Sequence, residues 1–362
     1  MSNSIGKLFT VTSFGESHGR CVGVVVDGCP AGVPLAEKEI QAELDKRKPS
    51  AGVASTSRTE EDKVEILSGI FRGHTTGAPI CMLVWNKDTD SSQYEKAKHL
   101  LRPGHADYTA LIKYGGFNDY RGGGRFSGRI TAGFVMAGAV AQKVLKLHKI
   151  EILAHTVEIG GIKAKAASME KIRAADRNQL RCADLVAEAK MLAAIEKARA
   201  EKDSLGGIIE VIGLNVPPGL GEPVFDSLEG DLSAALFSIP AVKGVEFGDG
   251  FEIARKRGSE NNDVFTVKKG RIVTATNHNG GINGGISNGM PLIARVAVKP
   301  TPSIGRKQNT YDISKLENAE LEIKGRHDAC IVPRAVPVAA AMMAIVLCDH
   351  GRRSGIIPEV NK

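Results

Sequence analysis

Between residues 102 and 131 the chain gathers Arg102, His105, Asp107, Arg121, Arg125, Ser127 and Arg129 around an unbroken glycine triplet at 122–124. Glycine loses the most conformational freedom on folding, so three in a row imply backbone at positive φ or in close approach to another group. Arginine side chains and backbone amides together suit an oxyanion, although a solvated surface turn uses the same residue types. A second cluster, Gly15-Glu16-Ser17-His18-Gly19-Arg20, surrounds a histidine with proton partners. A third histidine stands in Lys324-Gly325-Arg326-His327-Asp328. Histidine titrates near neutral pH, so His18, His105 and His327 are candidates for acid–base work. Lys299-Pro300-Thr301-Pro302-Ser303 adds an ammonium and hydroxyls where a strand ends. The run Asn277-His278-Asn279-Gly280-Gly281-Ile282-Asn283-Gly284-Gly285 suits either backbone packed on a flat ligand or tight hairpin turns. There is no Walker pattern, no G-x-G-x-x-G after a strand and no metal-ligand spacing, so no metal is expected. A split site for a small polyanion remains.

The elements that must position these residues are partly legible. Residues 8–14 alternate as a half-buried strand that delivers the His18 cluster at its end, and 22–26 resumes as a strand. Pro34 opens a helix with Glu37 and Glu39 in its first turn and Ile40 and Leu44 on its apolar face. Lys46, Arg47 and Lys48 close it before Pro49, as complements to the helix dipole or as ligands. Residues 50–62 read as a loop, followed by strands at 64–67 and 79–84. Helical spacing of apolar residues over 130–147 predicts a helix whose N-terminus lies beside Arg125 and Ser127, adding backbone donors for a phosphate or carboxylate. A strand is expected at 151–159, helices within 166–202, a strand at 208–216 and a helix at 228–236. Residues 239–250 read as a dense turn region, 295–298 as a strand, and the stretch after Ser303 through Asn318 as briefly disordered. The apolar run 335–348 contains Pro337 and is shorter than the ~18 residues a membrane span needs, so it reads as a buried core helix.

Composition narrows the class. The 362 residues are 42% hydrophobic and 25% charged, as in soluble globular proteins, and the net charge of +7 favours anionic partners without forming a basic tail. Six cysteines without a C-x-x-C pair, and no secretory leader, point to a reducing cytoplasmic setting. Arg121 to Arg125 is superficially similar to the RGG segments that bind RNA, but those are repeated and disordered, and no basic aromatic face accompanies this one. Neither nucleic acid nor a membrane is expected as a partner.

Five motifs in order are shared with one family: Gly15-Glu16-Ser17-His18-Gly19, Arg102-Pro103-Gly104-His105-Ala106-Asp107-Tyr108-Thr109, Tyr120-Arg121-Gly122-Gly123-Gly124-Arg125, Gly221-Glu222-Pro223-Val224-Phe225-Asp226 and Gly325-Arg326-His327-Asp328. Through them the sequence resembles chorismate synthase over nearly its whole length. The resemblance implies one α+β domain over residues 1–362, with helices sandwiched between antiparallel sheets, assembled as a homotetramer. It implies elimination of phosphate from 5-enolpyruvylshikimate 3-phosphate to give chorismate, with reduced FMN as cofactor and NADPH as a candidate reductant. A flavin oxidoreductase is the competing class. By the same resemblance His18 would serve the leaving phosphate, His105 the reduced flavin, and Asp328 proton removal. Flavin contacts would fall on Arg125, Phe126, Ser127, Pro240, Ala241, Gly284, Lys299, Pro300, Thr301, Pro302, Ser303 and Arg326, with Arg47 carried over from the early helix. The chain departs from the family pattern at Val53, where an arginine is usual, and at Phe126, Gly128 and Pro302. Arg58 is the candidate to replace the arginine missing at 53.

Overall fold

The computed structural model describes residues 3–48, 62–87, 90–323 and 328–361. Alternating apolar residues in the N-terminal part build an antiparallel sheet in the order Ser4–Ile5, Thr10–Gly15, Cys21–Asp27, Ile80–Trp85, Val64–Ile66. Val22, Val24, Val26, Met82 and Val84 are buried. A second antiparallel sheet runs Val242–Phe247, Leu292–Val298, Gly207–Leu214, Glu151–Ile159, Ile162–Lys163. Along Leu292–Val298 the residues Leu292, Ala294, Val296 and Val298 are buried and their neighbours are not, the period of two that a one-sided sheet requires.

Two apolar helices fill the space between the sheets. Thr131–Leu147 packs on the first sheet, Val332–Arg353 on the second, and each packs on the other. Small residues set the spacing: a Cβ at Gly133 would lie 2.9 Å from the Gly23 carbonyl oxygen, and one at Gly138 would lie 2.2 Å from the Ala341 Cβ. Both helical segments are long and apolar enough to cross a membrane, yet 72% and 89% of their apolar windows are buried inside the protein, which makes them core helices. The expected α+β sandwich is therefore the fold, and one buried cluster runs from Phe9 to Ile357. The chain ends meet as well, because Asp349 Oδ1 accepts hydrogen bonds from the backbone N–H groups of Lys7, Leu8 and Phe9 at 2.8, 2.7 and 2.9 Å.

Several elements differ from the sequence expectation. Val242–Phe247 is an edge strand rather than part of a turn region, paired with Leu292–Val298. Gln308–Asp312 and Glu317–Leu321 form an ordered hairpin where disorder was expected. Their side chains are mostly polar, so only backbone pairing marks them as strands. The Gly280 to Gly285 run leads into a hairpin, Ile282–Asn283 against Ile286–Ser287, with Gly284 and Gly285 at its turn. The expected loop over 50–61 lies outside the described residues.

Candidate active site

The strands Thr10–Gly15 and Cys21–Asp27 pair up to Gly15 opposite Val22, leaving residues 16–20 as the connection that carries His18. Asn86 Nδ2 donates to the Glu16 and Gly19 carbonyls at 3.0 and 2.9 Å, and Arg125 donates to the Gly15 carbonyl at 2.9 Å. This turn is thus held from two other segments. His18 is 7% exposed. Its Nδ1 lies 2.8 Å from Ser91 Oγ, and its ring meets Tyr94 edge-on at 5.2 Å between centroids.

His105 is oriented differently. Its Nδ1 is 2.8 Å from Asp107 Oδ1; a carboxylate only accepts, so Nδ1 carries the hydrogen. Arg102 also donates to Asp107, from Nε at 2.8 Å and from the terminal nitrogen at 2.7 Å. Burial opposes ionisation of Asp107, but the hydrogen bonds from His105 and Arg102 and their charges outweigh it, holding the carboxyl well below its usual range.

The glycine triplet separates the two histidines. Gly122, Gly123 and Gly124 have φ of 59°, 83° and 51°. A Cβ at Gly122 would fall 2.1 Å from His18 Cδ2, and one at Gly123 would sit 3.4 Å from His105 Nε2. Both requirements anticipated for these glycines, positive φ and close approach, are met here.

A cationic wall completes the site. Arg47 donates to Thr131 Oγ1 at 2.9 Å, the Gly128 carbonyl at 3.1 Å and Asp62 Oδ2 at 3.3 Å. Arg129 donates to the other Asp62 oxygen, Oδ1, and from Nε to Asn86 Oδ1 at 3.0 Å. Of the basic end of the early helix, Arg47 alone is buried and lines the cavity, beyond serving as a dipole complement. Arg334, in the first turn of the C-terminal helix, donates to Asp328 at 2.5 Å and to the Arg47 carbonyl at 3.2 Å. His18, His105, Gly122, Arg47, Arg129, Asp328 and Arg334 line one cavity of about 760 Å³, within the range of small-molecule sites.

Residues 9–351 match the family model described as chorismate synthase. A chorismate synthase from Dehalococcoides mccartyi is 59% identical over all of both chains, and one from Methanococcoides burtonii is 54% identical over 98% of this chain and 97% of that protein. The solved structure described as "Crystal Structure of Chorismate Synthase" superposes with a TM-score of 0.77 at 32% identity, covering 96% of this chain and 93% of that one. The chain belongs to the chorismate synthase family. It is a lyase of the shikimate pathway, converting 5-enolpyruvylshikimate 3-phosphate to chorismate and phosphate.

Of the residues anticipated for a chorismate synthase site, His18, His105, Asp328, Arg47, Arg125, Phe126, Ser127, Pro240, Ala241, Lys299, Thr301, Pro302 and Ser303 line this cavity. Neither Pro300 nor Gly284, which stands in a hairpin turn, is among the lining residues. Arg326 and His327 lie outside the described residues, as do Val53 and Arg58. Arg125 spends its guanidinium on Gly15, Ser13 and Asn3, so within the chain it braces the His18 turn. Arg334, Tyr94, Lys243 and Phe237 also line the cavity, outside the motifs that mark it in the sequence. Arg334 stands six residues after Asp328, a short-range pairing of opposite charges that the sequence does contain. Among the described residues no cluster of metal-ligating side chains occurs.

Proposed function

We propose that this cavity performs the elimination with reduced FMN bound beside the substrate. The observation that carries the reading is the placement of two differently held histidines on either side of the glycine triplet, facing a cavity walled by Arg47 and Arg129. The fit to a flavin mononucleotide rests on the donor set along one margin. Thr301 Oγ1 is buried without a hydrogen-bond partner among the described residues, and it lines the cavity beside Lys299 and Ser303. Phe126, Ile331, Ala335 and Val338 supply an apolar wall for a flat ring system. Phe126, Ser127, Pro240, Ala241, Lys299, Thr301 and Ser303 would hold the cofactor. Gly284 and Arg326 are contacts implied only by the family.

When bound, reduced FMN supplies electron density transiently as phosphate leaves and recovers it afterwards. The substrate loses phosphate and a ring hydrogen and keeps its oxidation level, so no net reductant is consumed. The chain contributes charge, orientation and protons. Arg47 and Arg129, bridged by one carboxylate, line the cavity as guanidiniums for the phosphate and carboxylates of the substrate. His18 donates a proton to the departing phosphate. His105, with Nδ1 fixed on Asp107, presents Nε2 as its other proton-carrying atom. Asp328, held by Arg334, is the candidate to assist removal of the ring hydrogen. We further take residues 1–362 as one domain, a homotetramer as the assembly and the cytoplasm as the compartment. The continuous core, the exposed apolar hairpin Phe265–Lys268 with Arg271–Thr274, and six free cysteines support these readings in turn.

The test is anaerobic turnover with flavin reduced beforehand and with NADPH, the candidate physiological reductant, left out. Many molecules of phosphate and chorismate should appear per FMN with no further reductant. One turnover per flavin would instead favour a flavin oxidoreductase and overturn the mechanism.

A further inference from the structure

Asp62 stands outside every motif that marks the site, yet it occupies the centre of the cationic wall. Its side chain is 2% exposed, and those of Arg47 and Arg129 are 5% and 8% exposed. Its two carboxylate oxygens are divided between the two guanidiniums, one each. The backbone is arranged for this purpose. Asp62 has φ of 40°, a conformation that non-glycine residues adopt rarely and aspartate tolerates better than most. The carboxamide of Gln41 fixes the chain on both sides of that position: Nε2 donates to the Asp62 carbonyl at 2.9 Å, and Oε1 accepts from the Val64 N–H at 2.9 Å.

A buried ion pair is seldom retained for stability alone, because desolvation offsets much of its attraction. Here one carboxylate bridges two cations that both line a cavity, so it ties their positions together on that wall. Arg129 also reaches Asn86, and Asn86 holds the turn that carries His18. One carboxylate therefore sets where both cations stand, and a single side chain connects that setting to the proton donor.

We propose that Asp62 is a positioning residue for the elimination, fixing Arg47 and Arg129 as a pair against the anionic groups of the substrate and, through Asn86, in register with His18. This inference rests on the reading of the cavity as the substrate site. It makes a prediction of definite sign. If Asp62 only offset charge, its neutralisation would strengthen the attraction for an anionic substrate. If it positions the guanidiniums, neutralisation weakens binding, since the two cations then repel and lose their shared anchor. Displacement of a contact by 1 Å is enough to cost about 10²-fold in rate.

The experiment compares Asp62→Asn, Arg47→Gln, Arg129→Met and the Asp62→Asn/Arg47→Gln double variant in the full chain. Two readouts are used: anaerobic steady-state kinetics with pre-reduced FMN, and calorimetric binding of 5-enolpyruvylshikimate 3-phosphate with oxidised FMN, a state that does not turn over. Asp62→Asn should weaken substrate binding about tenfold and lower kcat/KM by about 10²-fold, with FMN affinity unchanged. Unchanged or tighter substrate binding in the folded variant overturns the proposal. The double variant has the same net charge as the native triad and so remains informative where Asp62→Asn does not fold. It should be worse than Arg47→Gln alone, because Arg129 has still lost its anchor; equality of the two overturns the proposal. If Arg47→Gln and Arg129→Met are themselves native in both readouts, the cavity is not the substrate site, and that result is distinct from a failure of Asp62 alone.

Discussion

The two histidines of the site are held by different chemistry, and the difference is measurable. His105 leans on an aspartate that Arg102 also grips, so Asp107 has more to lose from protonation in the folded protein than in the unfolded chain. Its folded pKa is depressed, so the stability it contributes is present above its unfolded value of about 4 and fades as the pH falls through and below that value. Asp107→Asn should therefore be less stable than the native chain at pH 6, with the gap between their urea midpoints narrowing towards pH 3. A gap that stays constant would mean that the ionised carboxylate is not its source. The same variant should lower kcat more than it raises KM, because His105 loses its fixed tautomer, while His105→Ala should cost about 10²- to 10⁴-fold in rate, the usual range for a general acid. At this scale the sequence was readable where reactive types crowd together, as His105 and Asp107 do. Asp62 and Asn86 were not, since each is a single polar residue in an ordinary segment and acquires meaning only from partners on distant elements.

Helices and inner strands were legible because burial imposes a period. Ala132, Met136, Ala139, Val140 and Val144 recur at helical spacing and all are buried in the Thr131–Leu147 helix. The edge strand Val242–Phe247 has no such signal: only Val242 is buried, and Lys243 and Gly244 look like turn residues until Leu292–Val298 pairs with them. The polar hairpin at Gln308–Asp312 and Glu317–Leu321 was hidden in the same way. What periodicity does not reveal is how closely two helices approach. Gly138 leaves no room for a side chain against Ala341, so Gly138→Val must spread the two central helices or bend a strand beneath them. Overpacking of this kind costs about 1–3 kcal/mol. An unfolding free energy in urea lowered by that amount, with activity per folded molecule retained, is the expected result. No loss of stability would show that the helices separate freely, and the close crossing would then have no energetic weight.

Considered as a whole, the molecule buries its two most apolar helices but leaves other apolar surface uncovered. In the hairpin Phe265–Lys268 and Arg271–Thr274, Val267 and Ile272 stand directly opposite one another and are 71% and 74% exposed. Phe265 and Val264 continue the exposed apolar strip along the same hairpin. A two-stranded ribbon is marginally stable in water by itself, and exposed apolar patches of this kind mark contact surfaces. In the homotetramer proposed above, a second copy would cover this strip, the hairpin of one copy packing against another. Aspartates at both positions would bury charge in the assembled state, a penalty added to the smaller repulsion of the exposed cross-strand pair within each copy. Val267→Asp/Ile272→Asp should therefore sediment as a smaller species than the native chain while each copy keeps its fold by circular dichroism. A native chain that sediments as a monomer would remove the tetramer, whereas an intact tetramer in the double variant would remove this hairpin from its interface.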